Sequence, residues 1–181
     1  GLEAEDVSFV NIAPQAKIPT LAADQVDIIS DFYNGHDLKV ETFGDDLGFV
    51  RWSDIGLNPY GNSFIVNGDY LKENKDTVAA FVNVTQRAYM ACVENADPCI
   101  DALVAGASGL ERGEMVKQWE RVKELMADEH TTTKALGYLD ADQVAKTYEL
   151  VNTFFELEAP FDPSEAFTSE FLDTNLKMVA Q

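Results

Sequence analysis

Residues 26–37, VDIISDFYNGHD, open on a β-branched run and break after Ser30 into aromatic and turn-forming side chains. The first five read as a strand. Upstream, residues 7–12 (VSFVNI) form a second such run, and between the two lies AKIPTLAADQ. There Ile18 and Leu21 share one face of a helix of about two to three turns, with Pro19 tolerable only near its first turn. Strand, short helix and strand make a piece of parallel sheet, so the predicted fold class is α/β. In open α/β sheets ligands collect beyond the carboxyl ends of strands, which puts DFYNGHD where a site belongs. The same residues also read as a plain turn, with Asn34 and Gly35 supplying the dihedrals and Phe32 filling the core.

Outward from this stretch, residues 38–43 (LKVETF) and 62–67 (NSFIVN) read as further strands, and residues 44–59 are rich in Gly, Asp and Asn without either period. The composition shift near residues 57–61 marks a crossing between lobes. Beyond it the pattern is helical. Asn74 caps a helix with Val78, Phe81, Val82, Thr85, Tyr89 and Cys92 on its apolar face. Asp97 and Pro98 start the next, with Ile100, Leu103 and Val104 inward. Residues 111–126 form a third around Met115, Trp119 and Val122, and Asp140 opens a fourth through Val144, Tyr148, Val151 and Phe155. Residues 158–172 read as a Pro-restricted loop and a short terminal helix in which Ser164 caps the turn carrying Phe167 and Phe171.

The chain has 181 residues, 46% of them hydrophobic, enough for a core. Its 32 Asp and Glu against 13 Lys and Arg give a net charge of −19. That field repels phosphates, which excludes a nucleic-acid partner and disfavours an anionic membrane. No run approaches the roughly 18 apolar residues of a transmembrane helix. Gly1 and Leu2 read as the close of an earlier helix, so the sequence is expected to start inside a protein.

Cys92 and Cys99 fall at the end of one predicted helix and the start of the next. A helix hairpin brings such residues within the roughly 5–6 Å of a disulfide, which suits an oxidising compartment; the alternative is two packed thiols. No metal site is expected, because His36 and His130 stand apart in sequence and no cysteine-rich cluster or EF-hand loop occurs. Nor is a cofactor, since GxGxxG and the P-loop are absent, and AGASG (residues 105–109) follows a helix rather than opening one. No nucleophile elbow appears, and no catalytic residue is singled out. What remains is Asp31, Phe32, Tyr33, Asn34, His36, Asn58 and Tyr60. Carboxylate, amide and tyrosine side chains of this kind recognise a small ligand reversibly without reacting with it.

VDIISDFYNG, followed by DIGLNPYGNSFIVNGDYLKENKDTVAAFVNVTQRAYMACVENADPCIDALV, resembles the NMT1/THI5-like family of solute-binding proteins over residues 5–155. The resemblance implies the C-terminal portion of a two-lobed periplasmic-binding-protein type II fold. Residues 1–57 would be the C-terminal part of lobe two with the crossing segment, and residues 58–181 the helical C-terminal part of lobe one. It implies a non-enzymatic, periplasmic or extracytoplasmic component of an ABC importer that closes an interlobe cleft on a small planar heterocyclic or anionic nutrient, the pyrimidine precursor of thiamine among them. Asp31, Tyr33, Asn34, His36, Asn58 and Tyr60 would bind that ligand, although Gly35 and His36 stand where such relatives carry an acidic anchor. The implied partners are the small-molecule ligand, the transporter's membrane subunits, and a missing N-terminal segment or another chain that completes the fold. The alternative is a pyrimidine-precursor synthase of the THI5-like enzymatic branch, whose cysteine-rich segment this sequence does not display.

Overall fold

A computed structural model describes residues 3–155 and 157–179. The expectation for Gly1 and Leu2 lies outside them. The chain divides into two compact units, Gly1–Phe49 and Val50–Gln181.

In the first unit, Pro14 starts a 3-10 turn that feeds helix α1, Lys17–Ala22, and Pro19 sits early enough in it to leave the hydrogen-bond ladder intact. Lys17 donates from Nζ to the Ser30 carbonyl at 2.7 Å, tying residues 26–30 to the start of α1. A 3-10 turn, Tyr33–Gly35, then leads directly into helix α2, His36–Phe43. Residues 38–43 are therefore helical rather than a strand. Asp37 lies in the first turn, where a carboxylate favours the helix, and Thr42 bonds back to the Leu38 carbonyl at 2.9 Å.

The second unit carries α3 (Gly68–Glu73), α4 (Lys75–Glu94), α5 (Asp97–Gly106), α6 (Arg112–Met126), α7 (Glu129–Thr133) and α8 (Ala141–Phe154). Their starts follow the local chemistry. Asn67 caps α3, Pro98 occupies the first turn of α5, Asp128 and Thr131 form a reciprocal capping box on α7, and Asp140 caps α8. The AGASG segment closes α5 and turns at Gly109, whose φ of +79° a side chain would oppose. Cys92 and Cys99 form a disulfide with their Cα atoms 5.9 Å apart, pinning the end of α4 to the start of α5. Ile100, Ala135, Leu136 and Met178 are buried, together with the polar side chains of Gln86 and Thr131. Residues 163–165 form a 3-10 turn capped by Asp162, not Ser164, and the expected terminal helix after it does not form.

Among the described residues no segment pairs as a strand. Residues 7–12, 26–30 and 62–67 have strand-like composition but no ladder partner, and a strand without one gains nothing for the entropy it loses. Ile65 is 96% exposed, and no backbone hydrogen bond among the described residues engages residues 63–66. The α/β, two-lobed periplasmic-binding-protein type II architecture is thus corrected to a helical one. The crossing sheet was to frame the interlobe cleft. With it fall the ABC-importer solute-binding role, the nutrient or thiamine-precursor ligand closed between lobes, and the transporter subunits as partners.

Candidate binding site

The six residues singled out in the sequence divide between the units. In the first, Asp31 accepts from the Phe32 N–H at 2.8 Å and pairs with Lys39 at 3.0 Å. Its charge is therefore balanced locally. Tyr33 and His36, on either side of the turn that starts α2, stack with ring centres 5.1 Å apart, and Phe49 stands 4.3 Å from His36. Asn34 lies in that turn between them.

In the second unit, Asn58 contributes its backbone carbonyl, which accepts from Gln143 Nε2 at 2.7 Å. Tyr60 Oη accepts from the Asp140 N–H at 2.7 Å. These two bonds fasten the segment ahead of α3 to the start of α8. Burial pushes the Tyr60 phenol above its ordinary value; the Asp140 N–H pulls it back, and the nearby charges of Asp128 and Asp140 raise it further. The phenol thus stays protonated, with its own O–H left to donate.

Tyr60 also borders a cavity of about 920 Å³ that lies wholly within this unit. Its wall combines aromatic rings with aliphatic side chains such as Ile65, Val78 and Val151. Phe64 meets Phe81 of α4 edge to face at 5.1 Å, and Phe161 meets Tyr148 of α8 at 4.9 Å. The Tyr148 hydroxyl accepts from the Phe161 N–H at 3.1 Å, so the segment after α8 is held as one wall. Farther along, Phe171 lines the cavity under Lys75, which pairs with Glu170 at 3.2 Å. Such edge-to-face pairs each add about 0.5–1.5 kcal/mol beyond burial.

Sequence reasoning assigned Phe81 and Tyr148 to helix cores and did not single out Phe64 or Phe161. The available signal was density: aromatic residues recur on both sides of Pro160 and Pro163, more than one short loop needs for packing.

The sequence model of a family described as NMT1/THI5 like matches residues 1–98, more than half of the chain. The chain belongs to the NMT1/THI5-like family. A relative within reach of this family member is the riboflavin-binding protein RibY of Chloroflexus aurantiacus, 22% identical over 175 residues that make up 95% of this chain and 49% of that protein. The family member thus spans about half the length of this curated relative. No solved structure matches it. The matched residues 1–98 include the first unit, Tyr60 and Phe64, and α4, whereas Tyr148 and Phe161 lie beyond them.

Proposed function

We propose that the second unit is a non-catalytic binding module for a planar aromatic small molecule of the flavin class, held in the cavity between α4, α8 and the segment that follows α8. The observation that carries this reading is the set of rings along an open cavity: Phe64, Phe81, Tyr148 and Phe161 line a space of about 920 Å³, within the size range of small-molecule sites. Ring faces supply stacking, and the hydroxyls of Tyr60 and Tyr148 supply polar contacts. The name of the riboflavin-binding relative supports the choice of ligand class. This binding is seated inside one unit and needs neither lobe closure nor a transporter. The Cys92–Cys99 disulfide supports an extracytoplasmic, oxidising setting.

The test is a titration of riboflavin with the full chain, read by quenching of flavin fluorescence and by equilibrium dialysis. Saturable one-to-one binding is expected. Phe64 is 69% and Phe161 48% exposed, so Phe64→Ala and Phe161→Ala are expected to leave the fold in place and each to weaken binding about tenfold, or about 1.4 kcal/mol. Absence of saturable binding, or full affinity in both variants, overturns the reading.

A further inference from the structure

Among the described residues, the charged side chains lining the cavity are Glu165 and Glu170. At its rim the Lys75 ammonium already stands 3.2 Å from Glu170 Oε2 and 5.6 Å from the centre of the Phe171 ring. A helix start holds phosphate through free N–H groups, and at the starts of α3 and α8, whose neighbours line the cavity, side-chain caps already take up part of that set. Asn67 Oδ1 accepts from the N–H groups of Asp69 and Tyr70 at 3.0 and 3.1 Å. Asp140 Oδ1 accepts from that of Gln143 at 3.0 Å, and this cap is itself a carboxylate. The net charge of −19 adds a long-range field of the same sign.

Resting on the reading of this cavity as a flavin-class site, we infer that it selects the uncharged form of its planar ligand and discriminates against the phosphate ester. The alcohol, riboflavin, is accepted; its 5′-phosphate, a dianion at neutral pH, meets the carboxylates of Glu165 and Glu170, and the cation at the rim, Lys75, is already paired with one of them. A phosphate about 8 Å from these carboxylates in a solvent-like dielectric, with Lys75 offsetting one of them, loses roughly tenfold in affinity at low ionic strength. Because the groups are exposed, added salt erodes that difference.

The full chain is titrated with riboflavin and with riboflavin 5′-phosphate at low and high salt, and the titrations are repeated on the Glu165→Gln/Glu170→Gln double variant. Both carboxylates are exposed, so the fold does not depend on them. The expected result is roughly tenfold tighter binding of riboflavin at low salt, a gap that shrinks at high salt. The double variant is expected to raise the affinity of the ester more than that of riboflavin. Equal affinities, or a gap indifferent to both salt and substitution, overturn the inference while leaving the binding reading intact. If neither compound binds saturably, the binding reading itself fails and takes the inference with it.

Discussion

Tyr60 links backbone tethering to cavity chemistry. Its oxygen accepts the Asp140 N–H while its ring borders the cavity, and burial favours the neutral phenol. A group whose folded-state pKa is raised contributes stability that is present below its unfolded value, about 10 for tyrosine, and is lost as pH climbs through the folded value. The urea midpoint is therefore expected to fall as pH rises above about 10. Tyr60→Phe is expected to cost about 1 kcal/mol at neutral pH, for the lost acceptor, and to flatten that alkaline slope. Phenolate absorbance checks it: a folded chain in which every tyrosine ionises at or below its ordinary value would contradict the expectation. Gln86 shows what residue-level reading misses. The periodicity of α4 points Phe81 and Tyr89 inward, yet Phe81 is 52% exposed and Gln86 is 4% exposed. Gln86 is buried because its amide donates to the carbonyls of Leu136 and Asp173 at 2.9 and 3.1 Å and accepts from the Asp173 N–H at 2.8 Å. Its partners lie 50 and 87 positions away, so no local pattern reveals them.

At the scale of elements, the link between α4 and α5 is the place where a short covalent loop matters most. Cys92 and Cys99 are seven positions apart, and closing so short a loop removes unfolded-state entropy worth about 2.5 kcal/mol. The Cys92→Ser/Cys99→Ser variant, or the reduced chain, is expected to unfold at correspondingly lower urea; an unchanged midpoint would mean that packing around Ile100 alone fixes the hairpin. The helices themselves are legible because their signals are local. Asn74, Pro98 and Asp140 mark starts, and apolar residues at spacings of three and four mark faces, within a few residues of where α4, α5 and α8 begin. A strand is legible only as half of a pair. NSFIVN has the composition of one, but the ladder that would confirm it must come from elsewhere, and residues 63–66 have none among the described residues. LKVETF is too short for the two periods to be told apart, and its acidic first turn decides for α2. Of the candidate site, Tyr60 was singled out in the sequence, but on the ground of a lobe crossing that the helical fold does not carry. The facing walls formed by Tyr148 and Phe161 join residues about ninety to a hundred positions downstream, beyond the reach of any local pattern.

For the molecule as a whole, the excess of acid is the largest unbalanced term. A charge of −19 repels itself, and unfolding relieves the repulsion by spreading the charges apart. Opposing it are ion pairs such as Lys72–Asp69, Lys75–Glu170 and Lys123–Glu120. They lie at the surface, where such pairs contribute between zero and about 1 kcal/mol, and each joins one local cation to one local anion. Salt screens both, but unequally. At about 0.01 M the screening length is roughly 30 Å, so nearly every carboxylate in a unit feels the others, whereas at about 1 M it is roughly 3 Å and only touching pairs interact. The repulsion, being a sum over many distant pairs, disappears first. Stability at neutral pH is therefore expected to rise as sodium chloride increases from about 0.01 to 0.5 M, measured as an upward shift of the thermal midpoint with chloride as the sole anion. A midpoint that falls with salt would show that local ion pairs outweigh the net field, and would place the carboxylates in a more closely paired surface than the distances above describe.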